Sequence, residues 1–147
     1  MTGTYFVDTN LLVYFRDSSE PEKQAKAAAW LDYLWKKRVG ALSVQVLNEY
    51  YTIVTRKLEP GLSQEDARSD VSNLFTWRPL KLDETVIRNA WQAQDRYSVS
   101  WWDALIISAA QIQANDYLLT EDLQDGQDLA GLVIRNPFLH DPPPASS

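Results

Sequence analysis

The sequence has no cysteine among its 147 residues and only one histidine, His140. Without cysteine, disulfides, thiolate metal sites and a thiol nucleophile are all excluded. His140 is followed by Asp-Pro-Pro-Pro-Ala-Ser-Ser, so we expect it in a flexible C-terminal tail at 140–147. This placement argues against a Ser-His-Asp triad and against a pair of histidines acting as acid and base. Enzymatic chemistry in this chain must therefore come from carboxylates.

Long apolar runs and glycine-rich loops are also missing. None of the five glycines falls into Walker or G-x-G-x-x-G spacing. No apolar stretch approaches the roughly 18 residues that span a bilayer, and the first ten residues lack the basic and apolar regions of a signal peptide. We therefore expect a cytoplasmic protein that does not associate with membranes.

The composition that remains is typical of one globular domain, which we place at 1–139. Hydrophobic residues make up 45% of the chain and charged residues 23%, and this length suffices for one core. The net charge of −6 counts weakly against nucleic-acid binding. The objection is weak because carboxylates that hold divalent cations contribute to this charge and are partly neutralised by them.

Short apolar runs alternate with segments of helical period. We predict strands at 4–7, 39–42, 79–82, 117–119 and 132–134. Helices are predicted from about 11, at 25–37, from a Ser43 cap to Pro60-Gly61, from a Ser63 cap to about 75, from Asp83 to about 96, and at 100–113. Strands joined by single helices predict an α/β fold of three layers, α/β/α, with a mostly parallel central sheet of four to five strands.

Two aspartates follow predicted strands. Asp8 ends the first strand and is followed by Thr9 and Asn10, and Asp122 comes soon after the strand at 117–119. Functional groups of parallel sheets gather beyond the carboxyl ends of the strands. Each residue also has a simpler interpretation: Asp8 as a helix cap, and Asp122 as part of an acidic loop. The repetition of Asp beside Thr at two strand ends favours function.

Two further acids lie on predicted helices. Asp103 stands on an apolar helix face with Ile106 and Ile107, where an unpaired charge would cost several kcal/mol. A capping box with Ser100 explains Asp103 equally well. Glu49 borders the apolar stripe of the Ser43 helix, although most helical glutamates are solvated surface residues.

Together these carboxylates match the needs of a hard cation. Mg²⁺ and Mn²⁺ prefer oxygen ligands, and such ions activate water and stabilise the oxygen that leaves a phosphodiester. Converging carboxylates without a cation would repel one another. Because no histidine is placed to take a proton from a ribose 2′-hydroxyl, direct attack by a metal-activated water is the better hypothesis.

Four segments carry a resemblance to a known family: FVDTNLL at 6–12, LSVQVLNE at 42–49, SWWDALI at 100–106 and LTEDLQDGQ at 119–127. In this order and at these separations they resemble a PIN-domain ribonuclease, in particular the VapC-type toxins of bacterial type II toxin–antitoxin pairs. The resemblance covers nearly the whole chain. It implies a PIN-like fold and an endoribonuclease that leaves 5′-phosphate and 3′-hydroxyl ends.

The resemblance implies that Asp8, Glu49, Asp103 and Asp122 are catalytic and ligate Mg²⁺ or Mn²⁺. Thr9, Asn10 and Thr120 would orient these carboxylates by hydrogen bonds. Relatives often have histidine where this chain has Asp125, so Asp125 is an additional acid that either joins the cluster or faces solvent.

The resemblance also implies a homodimer, a cognate antitoxin protein that blocks the active site, and a structured RNA substrate such as tRNA. Aromatic residues are candidates for facing a partner, namely Trp30, Trp35, Tyr50 and Tyr51. Basic residues are candidates for meeting RNA phosphates, namely Arg16, Arg56, Lys57 and Arg96. Both sets have simpler interpretations, as core and as solvated surface.

Two other functions would also use these acids or explain them. A phosphoacceptor domain would use a strand-end aspartate, but it usually needs an acidic pair after the first strand and a late lysine, and residues 117–120 contain no lysine. A non-catalytic protein-binding module would leave the acids as caps and loop residues. RNA degradation that depends on a divalent cation distinguishes the nuclease from both.

Overall fold

The computed structural model describes residues 3–144, and a five-stranded sheet lies at its centre. In chain order the strands are β1 (Tyr5–Val7), β2 (Gly40–Ala41), β3 (Tyr117–Leu119), β4 (Asp128–Leu129) and β5 (Leu132–Arg135). They lie side by side in the order β2-β1-β3-β5-β4, and every pairing is parallel except β4 with β5. The predicted mostly parallel sheet is confirmed.

Six α-helices connect the strands: α1 (Thr9–Arg16), α2 (Pro21–Lys37), α3 (Val44–Arg56), α4 (Gln64–Leu74), α5 (Glu84–Tyr97) and α6 (Trp101–Ile112). A short 3₁₀ turn, Phe75–Trp77, follows α4. The predicted caps Ser43, Ser63 and Ser100 each accept a hydrogen bond from a backbone N–H in the first turn of their helix. Asp83 caps α5 in the same way.

The strand predicted at 79–82 is wrong. Only Leu80 pairs there, in a single parallel bridge with Ser43. Pro79 has no N–H to donate, so the ladder does not extend through it. The antiparallel strand β4 was not predicted, since two residues are too few to show a period. The remaining differences include shifts of an element's end: α2 begins at Pro21, whose fixed φ suits a first turn, and α3 ends at Arg56.

The core lies against both faces of the sheet. Phe6, Leu118 and Ile134 from three neighbouring strands are fully buried, as expected for a parallel sheet covered by helices. Trp30 and Tyr50 are also buried, at 0% and 2% exposure, so of their two interpretations the structure supports the one that places them in the core. Periodicity alone does not tell which aromatic residues of a helix point inward.

The C-terminal segment packs on this core as far as the structure describes it. The Trp30 indole donates to the carbonyl oxygens of Pro137 and His140, at 3.0 and 2.9 Å. The predicted tail at 140–147 thus begins with a residue that contacts the domain, and its residues 145–147 lie outside those described. The boundary at 139 stays a prediction. Within residues 3–144, no helix combines the length and apolar character that a membrane span requires.

Candidate metal centre

The four predicted acids line one open cleft of about 390 Å³, together with Thr9 and Asn10. The topology explains the convergence. β1 and β3 pair in parallel, so the residues after them, Asp8 and Asp122, emerge at the same edge of the sheet. The N-terminal halves of α3 and α6 bring Glu49 and Asp103 to this edge.

Asp8 lies deepest. Its Oδ1 accepts a hydrogen bond from the backbone N–H of Thr9 at 2.7 Å, and its Oδ2 accepts one from the Thr120 hydroxyl at 2.8 Å. Burial raises the pKa of Asp8 to about 7, and the charges of Asp122 and Glu49 add to this rise against the two hydrogen bonds, which lower it. Asp8 also caps α1, so the capping interpretation holds, and it is compatible with the functional one.

Glu49 is half-buried and held at both oxygens. Its Oε2 accepts from the Thr9 hydroxyl at 2.8 Å, and its Oε1 accepts from the Gln45 side-chain amide at 3.0 Å. These bonds fix its carboxylate toward the cleft, so the interpretation of Glu49 as plain solvated surface is wrong. Gln45 was not among the predicted site residues, although its position one helical turn before Glu49 was the available signal.

Asp122 and Asp103, together with Asp8 and Glu49, form what we call the acidic wall of the cleft. The Asn10 side-chain amide donates to Asp122 Oδ2 at 3.3 Å, and the Asp122 N–H donates to the Thr120 hydroxyl at 3.1 Å. Partial burial raises the pKa of Asp122, and the negative charge of Asp103 raises it further. Asp103 also donates its N–H to Ser100 Oγ at 3.1 Å, so its place at the start of α6 serves the helix cap and the cleft at once.

Asp125 does not line the cleft. It accepts a hydrogen bond from the Asn136 N–H at 2.8 Å and pairs with His140 Nε2 at 2.8 Å. These partners lower the pKa of Asp125. Asp125 thus lies outside the acidic cluster, and its partly exposed side chain holds the C-terminal segment.

Lys23, which lies beside the cleft, was also not among the predicted site residues. Lys23 of α2 donates to Glu121 at 2.9 Å and to the hydroxyl of Tyr14 at 3.2 Å, and its ammonium lies 4.6 Å from the centre of the Tyr14 ring. Tyr14 lines the cleft, and Glu121 precedes Asp122. Since 98 residues separate the two charges of this pair, no local pattern could have shown it.

The donor set fits a hard divalent cation. The carboxylates of its acids, the amide of Asn10 and the hydroxyl of Thr9 are oxygen donors, which suit Mg²⁺ and Mn²⁺. Asn10 Oδ1 is a buried oxygen without a hydrogen-bond partner among the residues that the structure describes. Within residues 3–144, however, no group of three or more Asp, Glu or His side chains is arranged as it would be around a metal ion. The cleft thus has the ligand chemistry of such a site without its coordination geometry.

The family model of the PIN domain matches residues 5–125. A toxin–antitoxin complex from Klebsiella pneumoniae contains a similar fold, with a TM-score of 0.65 and 19% identity, covering 91% of this chain and 98% of that one. The structure of VapBC2 from Rickettsia felis, bound to a DNA fragment from their promoter, gives a TM-score of 0.62 and 18% identity, covering 90% of this chain and 98% of that one.

A third similar structure is VapC20 of Mycobacterium tuberculosis, a toxin that cleaves the sarcin–ricin loop. Its TM-score is 0.56 at 17% identity, and the match covers 81% of this chain and 90% of that one. No curated protein matches the chain. At these identities the solved structures show a shared fold.

Proposed function

The chain belongs to the PIN-domain family, and on that premise we propose that it is a metal-dependent endoribonuclease and the VapC-type toxin of a toxin–antitoxin pair. One observation carries the proposal: Asp8, Glu49, Asp103 and Asp122, far apart in the chain, line a single cleft. A fifth acid, Asp17 at the C-terminal end of α1, lines the same cleft, so the cleft is strongly acidic as a whole. Three solved structures with this fold come from toxins or toxin–antitoxin complexes, which supports the same function.

In this proposal Asp8, Glu49, Asp103 and Asp122 hold Mg²⁺ or Mn²⁺. When bound, such a cation lowers the pKa of water and neutralises charge on a phosphodiester. The residues of the chain supply orientation. Hydrogen bonds from three neighbours orient three of the carboxylates so that each presents an oxygen to the cleft. Thr120 donates to Asp8, Thr9 donates to Glu49, and Asn10 donates to Asp122.

The nucleophile in this proposal is water. His140 pairs with Asp125, outside the residues that line the cleft, so it is not placed to take a proton from a 2′-hydroxyl. Attack of water on the phosphorus with departure of the ribose 3′-oxygen, which takes up a proton, leaves 5′-phosphate and 3′-hydroxyl ends. The chemistry of the products therefore tests this step directly.

The partners follow from the same proposal. We infer a structured RNA substrate such as tRNA, a cognate antitoxin that covers the cleft, a homodimer and a cytoplasmic location. The solved toxin–antitoxin complexes with this fold support the inference of an antitoxin partner.

The test begins with purified protein and total RNA in Mn²⁺, Mg²⁺ or EDTA. We expect cleavage with either cation, none in EDTA, and loss of at least 100-fold for Asp8→Asn and for Asp103→Asn. Asp141→Asn is the matched control, because Asp141 is an exposed acid outside the cleft and should retain activity. Activity that survives both cleft substitutions in folded protein rules out this site.

A further inference from the structure

The cleft has an apolar side as well as an acidic one. Three of the helices each contribute one polar and one aliphatic residue to the cleft. The aliphatic residue follows the polar one by three or four positions, so the two lie on the same helix face. The pairs are Asn10 and Val13 of α1, Glu49 and Ile53 of α3, and Asp103 and Ile106 of α6. A nucleotide has the same two-sided character, with a charged phosphate and a flat base. The lining is thus matched to one nucleotide unit.

Trp102 stands at the edge of this cleft. It is 64% exposed, precedes Asp103 and lies one helical turn before Ile106. Within residues 3–144, no other ring stacks on the Trp102 indole and no cation lies over it. Exposing so large an apolar face is costly, and exposed aromatic residues beside a cleft mark binding surfaces.

The charges of the cleft limit how RNA is held. In the described part of the chain, no lysine or arginine lines it. Lys23, behind Tyr14, is already paired with Glu121. Phosphates therefore gain no direct contact with a basic side chain there, and affinity must come from cations and from uncharged contacts. Stacking of a base on an aromatic ring is such a contact, and it does not depend on the charge of the wall.

We propose that Trp102 stacks on an unpaired nucleobase next to the phosphate held at the acidic wall. The inference rests on the proposed nuclease function and narrows its substrate to RNA that is single-stranded or looped out at the cut. Bases in a duplex are stacked on one another, so their faces are not open to an indole. Trp102 then selects substrate and places it, while the acids act on the phosphate.

A second copy of the chain is another occupant that an exposed indole could have. The base is favoured because Trp102 lines the same cleft as the acids and adjoins Asp103, whereas a surface used only for dimerisation needs no acid beside it. The two occupants differ in what the loss of the indole changes. Loss of a stacking partner weakens RNA binding, and loss of a dimer contact changes the oligomeric state.

The binding test uses a fluorescein-labelled single-stranded RNA decamer in Ca²⁺ buffer, followed by fluorescence polarisation. Trp102→Ala should weaken the Kd by roughly 5- to 100-fold, the loss of one base–aromatic stack, and Trp102→Tyr should restore most of it. Trp91→Ala is the matched control: Trp91 is a 51% exposed tryptophan of α5 outside the cleft, and its loss should leave Kd unchanged. A duplex of the same sequence should bind weakly to all four proteins.

The cleavage test uses Mn²⁺ and RNA with an abasic nucleotide beside the cleaved phosphate. On this RNA the kcat/KM of the wild type should fall, mainly through a higher KM. The fall should equal that of Trp102→Ala on intact RNA. The kcat/KM of Trp102→Ala should fall little further on the abasic RNA, because the substitution and the missing base remove the same contact. If the two losses in kcat/KM add up instead, the stacking proposal is overturned.

The two proposals fail in different ways. If the wild type cleaves no RNA with any cation, the nuclease function fails, and the binding test still decides whether Trp102 stacks on a base. If the wild type cleaves RNA and Trp102→Ala keeps the wild-type Kd and KM, the stacking is overturned and the nuclease stands. A shift from dimer to monomer in Trp102→Ala with unchanged Kd assigns the indole to a second copy instead.

Discussion

At the scale of single residues, Asp8 is a carboxylate in an unfavourable place. It is 7% exposed, and two other acids raise its pKa toward neutrality in addition to the larger effect of burial. A buried charge with like charges around it costs stability unless a cation offsets it. The residue that matters most for the proposed chemistry is therefore one that the metal-free fold tolerates poorly.

Asp8→Asn should make the metal-free protein more stable at pH 8. The folded-state pKa of about 7 lies above the ordinary value of 3.8, so the folded state retains its proton longer and stability falls as pH rises from about 4 to 7. Removing the charge recovers part of this loss, roughly 1–3 kcal/mol, or several °C in Tm. Thermal unfolding in EDTA at pH 8 measures it.

The same comparison at pH 5 is the control: Asp8 then carries its proton in the folded state but is ionised in the unfolded state, so only about a third of the fall in stability has occurred and the advantage of Asn should be correspondingly smaller than at pH 8. Asp141→Asn should change Tm at neither pH. A variant less stable than the wild type at pH 8 would show that the hydrogen bonds of the Asp8 carboxylate outweigh its charge.

Thr120→Val should weaken binding of Mn²⁺ by about 10- to 100-fold, the usual effect of losing a group that orients a ligand. Thr120 is 1% exposed, donates to Asp8 and accepts from the Asp122 N–H, and valine retains its shape without the hydroxyl. Isothermal titration calorimetry with Mn²⁺ measures the affinity. Thr120→Ser keeps the hydroxyl and should bind nearly as the wild type does; equal affinities for Val and wild type contradict the orienting role.

At the scale of helices, one ion pair ties α1, α3 and α4 together. Arg16 donates to both oxygens of Asp70, at 2.9 and 2.6 Å, and the Tyr50 hydroxyl donates to the same carboxylate. The Asp70 side chain is 17% exposed and that of Arg16 36%, so the pair is only partly screened by water. The guanidinium of Arg16 is therefore paired with Asp70, so it is not a free cation that could meet RNA phosphates.

Asp70→Ala should lower the free energy of unfolding by roughly 1–3 kcal/mol, because it leaves Arg16 and Tyr50 without their acceptor. Urea denaturation followed by circular dichroism measures the change. Glu84→Ala is the matched control: it breaks an exposed pair with Arg88 within α5 and should change stability by less than about 0.5 kcal/mol. Equal effects of the two substitutions contradict a special role for the Asp70 contacts.

At the scale of the whole molecule, the proposed function couples cation binding at the cleft to folding. A ligand that binds only the folded state stabilises it, by about 2.7 kcal/mol at 100 times its Kd. Mn²⁺ should therefore raise Tm, and more at pH 8 than at pH 5, where Asp8 retains a proton that competes with the ion. Differential scanning fluorimetry with and without Mn²⁺ measures it, and Asp103→Asn should show a smaller rise.

What the sequence determined is what depends on neighbours along the chain. Hydrophobic period and caps such as Ser43 and Ser100 set where most elements begin, and single-helix connections set a parallel sheet. A parallel sheet sends strand ends to one edge, so the meeting of Asp8 and Asp122 could be predicted before any coordinates. Asp103 was marked by a charge on an apolar face, a signal that its own helix carries.

Tertiary structure alone decided the contacts between distant residues. Nothing near Asp125 predicts its bond to His140, nothing near Lys23 predicts Glu121, and helical period does not show that Trp30 is buried while Trp102 is exposed. The physical reason is the same for each. A local pattern fixes which face of an element is apolar, but packing against the rest of the chain determines how deeply each side chain lies and which partner it meets.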